Sequence, residues 1–454
     1  MEIQNSPNQE RKKLFDTGVA DSREPSEVSV LKGRGGDLDL TPKTAKLEHE
    51  AQDRRRSSDF QSFMNSAKLA YGNAYLSIPN VFSKTGWLGG IILFSVVGIL
   101  NIYTMMQNLL VAERHPRLHS YSEIGGKVFG KWGKVAVDVP IWIMQCSTCC
   151  SYLYFIAQQI DMVVCHYTGD KDGGGYCDNQ NMYMLIMTIP ALPISFIETY
   201  TFLSYFVMFG IGMASLGMVM IFGYLGEKMA RDEQVVGDLK VFDAYQTVGN
   251  LGVAMFVFEG NAVVINVRAE TINQHKYPKI LTSAIVSVLT LFMVFAIVAY
   301  ATYKGDCNSI FVLNMQPITW YVTFVYFCVC INCFISYPVQ ILAAFDIAEQ
   351  HPFFKVGERI KIKKIVMRSF VIFCITGIAL IIPDFTVFLD IAGALGAGVI
   401  AFILPPLLYN KEFEDTVPNW KRYTNWAICV FGVVGCTLSI VASIQSVING
   451  EDDE

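Results

Sequence analysis

Apolar runs long enough to cross about 30 Å of hydrocarbon recur along the chain, separated by short polar connectors, from residue 60 to residue 447. Eleven are read, at 60–83, 87–112, 135–164, 182–200, 202–226, 245–267, 279–301, 318–345, 369–384, 386–409 and 424–447. They predict an all-α polytopic membrane protein with eleven transmembrane helices. Two runs are interrupted. In Phe63–Phe82, FMNSAKLAYGNAYLSIPNVF, the small and polar residues Ala70–Ala74 stand where a continuous helix would hold Leu and Ile. Gly72 tolerates non-helical angles, and Pro79 can start or kink a half-helix but donates no backbone bond. The second, Tyr245–Val267, is interrupted by Phe258-Glu259-Gly260-Asn261. An ordinary proline-kinked span would share some of these residues. Two broken spans, each opening one half of the chain, are instead the pattern of an inverted-repeat transporter with its site at the bilayer midplane.

Composition agrees. Of 454 residues, 52% are hydrophobic and only 17% charged, too apolar for a soluble chain of this size. The net charge of −5 says little, but its distribution sets orientation. With the N-terminus in the cytoplasm, inner segments hold 28 of the 35 Lys and Arg, outer segments six, and Lys68 lies within a span. That asymmetry favours a cytoplasmic N-terminus and an odd number of spans. Three regions follow: a polar tail at 1–58, expected to be disordered; a transporter domain at 59–447; and a short acidic outward-facing end at 448–454. Arg54-Arg55-Arg56-Ser57-Ser58 reads as a topology anchor, with basic-directed phosphorylation as the rival. No signal peptide is evident before the first apolar stretch, so the first span is expected to act as its own signal.

Nine of the twelve cysteines fall in or beside spans and read as small apolar packing residues. Cys146-x-x-Cys149 has no second half, so no metal site is predicted. Cys165, Cys177 and Cys307 fall in outer loops, where a disulfide persists. Three thiols leave one over, and the expected pair is Cys177–Cys307. Glu259 is the most informative carboxylate, because it falls at the second break. An acid there marks an ion or proton path, or else a structural group bonded to backbone that the break frees. Asp390 is a lesser candidate for charge movement. Asn332, Ser336 and Tyr337 of span eight are candidates for contacting substrate, with hydrogen bonding between helices as the rival.

In order along the chain, five motifs resemble the amino acid/auxin permease family of secondary transporters. Gly72-Asn73-Ala74-Tyr75-Leu76-Ser77-Ile78-Pro79 is similar to the family's first-span G-T-G-x-L-x-L-P. Ser120–Gly125 with Phe129-Gly130 is similar to its first inner loop, Phe256–Gly260 to F-x-F-E-G, Ser336–Gln340 to span eight, and Leu404–Leu407 to the end of span ten. Ala74 departs from the pattern by replacing the second glycine, which narrows the space beside it. The resemblance implies a LeuT-like 5+5 inverted repeat with spans one and six broken, plus an eleventh span outside the repeat. It also implies an amino acid held between spans one, three, six and eight. Freed amides near Gly72, Asn73, Ala74 and Tyr75 would hold the carboxylate, as half-helix N-termini suit an anion. Freed carbonyls near Phe256 and Phe258, beside Gly260, would face the ammonium group, and Tyr152 matches a span-three aromatic. Sodium-coupled members place Asn four residues before the first glycine. Here that position is Lys68, as in members resembling the animal proton-coupled amino acid transporters, so proton coupling through Lys68 and Glu259 is expected.

These readings predict a non-enzymatic, proton-coupled amino acid symporter working by alternating access. Its expected partners are the amino acid, protons and the lipid bilayer, with no nucleic acid and no cofactor. The location is the plasma membrane or a vacuolar or lysosomal membrane. A sodium-coupled or uncoupled facilitator, and an amino acid sensor with little flux, are the alternatives.

Overall fold

The computed structural model describes residues 57–449 apart from 169–176, 178, 197–199, 232–238, 351, 355–359 and 383. Most of the predicted N-terminal tail, the acidic end beyond 449 and the glycine run 173–175 lie outside the described residues. Among the described residues there is no strand, only an isolated bridge between Ser57 and Thr271. The described residues of each predicted apolar run fall mainly on helix.

The helices are α1 (Asp59–Ala70), a 3-10 turn (Ala74–Ser77), α2 (Ile78–Thr85), α3 (Trp87–Arg114), α4 (Tyr121–Thr168), α5 (Gln180–Ile194) and α6 (Tyr200–Arg231). They continue as α7 (Ala244–Gly249), α8 (Leu251–Val257), α9 (Val264–Glu270), α10 (Tyr277–Tyr303), α11 (Trp320–Glu349) and α12 (Ile360–Ala379). Last come α13 (Phe385–Ala392), which runs through two wide π-helical stretches into α14 (Leu404–Glu412), and α15 (Asn419–Asn449). Among the described residues, seven helical stretches are long and apolar enough to cross a membrane, α13 through α14 counting as one. The other four runs fall short for visible reasons. Two are broken (α1/α2 and α7–α9), α5 has 15 residues, and α12 carries Lys361, Lys363, Lys364 and Arg368 near its start.

The connector 113–134, which lies between two predicted spans, is largely helical. Ser120 Oγ accepts the Glu123 amide at 3.2 Å, and Glu123 Oε2 accepts the His119 amide at 2.9 Å. This nearly reciprocal cap starts α4. The helix then kinks at Gly130, whose φ of 68° is open to glycine and costly for other residues.

α1 is sewn to the segment around α9 and α10. Ser57 exchanges backbone bonds with Glu270 and Ile272, Ser62 Oγ lies 2.8 Å from Thr271 Oγ1, and Asn273 donates to Asp59 at 2.8 Å. At the other end, the amides of Trp87 and Leu88 donate to Lys240 and Val241, and Asp243 N donates to Thr85. Asp243 caps α7, and its carboxyl is held below the ordinary carboxylate range by the Gln246 amide and then by Lys240.

One expectation is overturned. Cys165 is bonded to Cys177, and Cys307 is a buried free thiol. The end of α4 and the segment before α5 bring the first pair, twelve positions apart in sequence, to a Cα separation of 5.0 Å. Cys307 instead lies where its carbonyl accepts the Asn80 side chain at 2.7 Å. Ten thiols are therefore free. Alkylating denatured, unreduced protein is expected to label Cys307 and leave Cys165 and Cys177 blocked. Peptide mass spectrometry reads the result directly, and a blocked Cys307 would contradict this pairing.

Candidate functional site

α1 stops at Ala70 because Tyr71, with ψ of 58°, leaves helical geometry, and Tyr71 N donates to Lys68 O at 3.0 Å. The chain resumes through the 3-10 turn into α2, with Pro79 in its first turn, where the missing N–H does no harm. The amides of Gly72 and Tyr75 have no hydrogen-bond partner among the described residues. Within this break the side chains diverge. Asn73 Nδ2 donates to the Ser151 carbonyl on α4 at 3.2 Å, so that side chain is committed to helix packing. Tyr75 stacks on Phe292 of α10 at 5.2 Å between ring centres, and its hydroxyl is buried without a partner. Ala74 is buried, and Gly72 faces Tyr152: a Cβ added there would lie 3.7 Å from the Tyr152 hydroxyl.

Lys68 occupies the mouth of this break. Its Nζ donates to Asn332 Oδ1 at 2.9 Å, to Ser336 Oγ at 3.2 Å and to the Tyr71 carbonyl at 3.5 Å. Asn332 and Ser336 are one turn apart on α11, so a single helix face presents both oxygens. Asn332 Nδ2 is buried without a partner among the described residues. An ammonium held by three oxygens at a helix break is the kind of environment otherwise suited to a small cation.

The second break runs from Phe258 to Val263. Gly260 lets it approach the first. An added Cβ there would sit 3.0 Å from Met105 Cε and 3.2 Å from Leu69 Cβ, so Gly260 lies beside the residue next to Lys68. Of the carbonyls expected to be free, that of Phe256 accepts the Glu259 amide at 3.3 Å, and that of Phe258 accepts the Asn101 side chain. The Phe256 carbonyl also accepts the Phe258 amide, so of the two only the Phe258 carbonyl keeps a second lone pair for a ligand. Glu259 Oε1 accepts the Ala262 amide at 3.2 Å, which meets the structural role weighed for it. Lys68 and Glu259 do not bond to each other; their partners lie on different elements.

Sequence reasoning missed the brace behind this break. Asn108 donates to Asn261 at 3.0 Å, Asn261 donates to Asn101 at 2.6 Å, and Asn101 donates to the Phe258 carbonyl. The signal was legible. Asn101, Thr104 and Asn108 are spaced by three and four along an otherwise apolar helix, so they share one face.

A sequence model of a family described as transmembrane amino acid transporter protein matches residues 55–445, which take in both breaks. The chain belongs to the transmembrane amino acid transporter family. Relatives include amino acid transporter AVT3C of Arabidopsis thaliana, 25% identical over 83% of this chain and 88% of its own length. Amino acid transporter ANT1 of the same plant is 22% identical over 84% of this chain and 90% of its own. Vacuolar amino acid transporter 3 of Schizosaccharomyces pombe is 22% identical over 87% of this chain and 58% of its own. The chain is thus an integral, multi-pass transporter of amino acids and not an enzyme.

Proposed function

We propose that this member is a proton-coupled symporter that works by alternating access. We read it as eleven spans in a LeuT-like 5+5 inverted repeat whose broken first and sixth spans hold the amino acid. The observation that carries the reading is the Lys68 ammonium bonded to Asn332, Ser336 and the Tyr71 carbonyl. A fixed cation in that position leaves no room or need for a sodium ion, so the mobile coupling charge is a proton. The unpaired amides of Gly72 and Tyr75 suit the substrate carboxylate. Tyr152, facing Gly72, and Ser336, beside Lys68, border the same place. The second lone pair of the Phe258 carbonyl suits the substrate ammonium, with Gly260 keeping the breaks in contact. Alternating access draws support from the bonding pattern. α1 bonds to α10 and to the residue after α9, and α3 bonds to the second break, whereas Lys68 and Asn73 link the first break to α11 and α4. The relative named as vacuolar favours a vacuolar or lysosomal membrane.

The test is uptake of a panel of radiolabelled amino acids by purified protein in liposomes, under a proton gradient, a sodium gradient and neither. Accumulation driven by protons alone is expected. Sodium-driven accumulation would keep the transporter and discard the argument from Lys68. Binding without uptake under any gradient would favour a sensor. In the same assay, Glu259→Gln is expected to lower proton-driven uptake more than substrate binding. Unchanged pH dependence in that variant would leave Glu259 with only its Ala262 bond to explain it.

A further inference from the structure

A second polar centre lies away from the breaks, where α13, α8 and α15 meet. Asp390 of α13 is buried, at 2% exposure. Its Oδ1 accepts the Val253 amide at 2.9 Å, and its Oδ2 accepts Ser439 Oγ at 2.6 Å and Ser443 Oγ at 2.5 Å. All three donors are uncharged. A buried carboxylate held by neutral donors alone is costly to keep ionised, which makes it a candidate for taking up a proton.

The hydroxyl of Ser439 has two places to send its one hydrogen. It accepts the Gly252 amide at 3.0 Å, and within reach it has both Asp390 Oδ2 and, at 3.2 Å, the Gly249 carbonyl. With Asp390 ionised, Ser439 donates to the carboxylate. With Oδ2 protonated, the acid hydrogen goes to Ser439 Oγ, and the serine hydrogen turns to Gly249. Both charge states are therefore hydrogen-bonded without moving a helix, and what changes is the pull on Gly249, at the end of α7. A cavity of ≈ 40 Å³ adjoins the group, lined by Lys84, Gln246, Asn250, Thr386, Asp390 and Ser443. It is polar and roomy enough for at least one water. The charged and titratable groups facing this region are Lys84 from α2, Tyr245 from α7, Cys436 from α15 and, through its stack on Phe385, Tyr154 from α4.

The surrounding backbone is suited to pass on a change. Past Asp390 the helix winds as π turns over Gly393–Ala397 and Val399–Ile403, a geometry often found at functional sites. Val253 and Gly252 belong to α8, and α8 ends at the second break.

We propose that Asp390, Ser439 and Ser443 form a proton-binding site that sets how α7 and α8 sit on α13, and so couples proton binding to the second break. This rests on the proton-coupled reading above. The test uses full-length protein in liposomes and the radiolabelled amino acid that wild type takes up fastest. Asp390→Asn is expected to lose accumulation against a gradient, with the driven-to-undriven uptake ratio falling at least about tenfold, yet to exchange internal for external amino acid measurably. Ser439→Ala keeps the carboxylate and removes the two-way hydroxyl. It is expected to cut the same ratio by about threefold or more, and it decides the matter if Asp390→Asn is inactive in both assays. Accumulation by both variants within about twofold of wild type would overturn the site while leaving proton coupling intact. A wild type indifferent to the proton gradient would overturn both.

Discussion

Lys68→Met is expected to lower the initial rate of amino acid uptake by about a hundredfold or more, a loss of about 3 kcal/mol. The substitution keeps the length and apolar stem of the side chain and removes only its charged end. Three acceptors then lose their donor: Asn332 Oδ1, Ser336 Oγ and the Tyr71 carbonyl. Hydrogen bonds to a charged group are each worth about 1.5–3 kcal/mol, and acceptors left unpaired in a buried place keep their desolvation cost. Tyr71 opens the break, so the loss reaches the backbone that the substrate is proposed to use. Ser336→Ala removes one of the three partners and is expected to cost about tenfold. Uptake in proteoliposomes measures both variants, with thermal stability in detergent as a check on folding. Lys68→Met protein that transports within about twofold of wild type would remove the ammonium from the mechanism.

Gly252→Ala and Gly393→Ala are each expected to destabilise the protein by about 3 kcal/mol or more, the upper end for overpacking. α8 and α13 touch through these two residues. A Cβ on Gly252 would lie 2.0 Å from the Asp390 carbonyl oxygen, and one on Gly393 would lie 1.9 Å from the Gly252 carbonyl oxygen. Both obstacles are backbone, so no side-chain rotation relieves them, and the helices must separate. Separation also lengthens the bond from Val253 N to Asp390. Gly377→Ala is the control, because nothing lies within 4 Å of a Cβ added there. It is expected to leave stability unchanged or slightly raised, as alanine favours helix over glycine. Thermal unfolding and monodisperse yield in detergent read all three. Wild-type behaviour of both close-contact variants would mean that α8 and α13 do not approach through glycine.

Much of the site could be read along the chain because its signals are local. A glycine, an asparagine and a proline within eight residues of an apolar run mark a break wherever the run packs. Glu259 stands out for the same reason, as a lone carboxylate in its run. Partners are another matter. The carbonyls of Phe256 and Phe258 follow from the second break, but that Asn101 takes one of them depends on where α3 lies. Asp390 read as a lesser candidate because nothing beside it in sequence hints at Ser439 and Ser443, which sit about fifty residues further on. The disulfide went astray for a similar reason. All three outer-loop thiols satisfy the compartment argument, and only chain geometry brings Cys165, rather than Cys307, to Cys177.

By itself, the sequence determined an all-helical membrane protein, the positions of its two breaks, its resemblance to an amino acid transporter family, and Lys68 and Glu259 as charges that need explaining. Those properties depend on composition and on spacing within a single run. The tertiary structure alone decided that Lys68 meets a helix face 264 residues away, that Gly260 brings the second break against the first, and that a carboxylate of α13 is held between α8 and α15. Helix periodicity says which residues share a face, but which faces meet is set by the packing of all the helices at once.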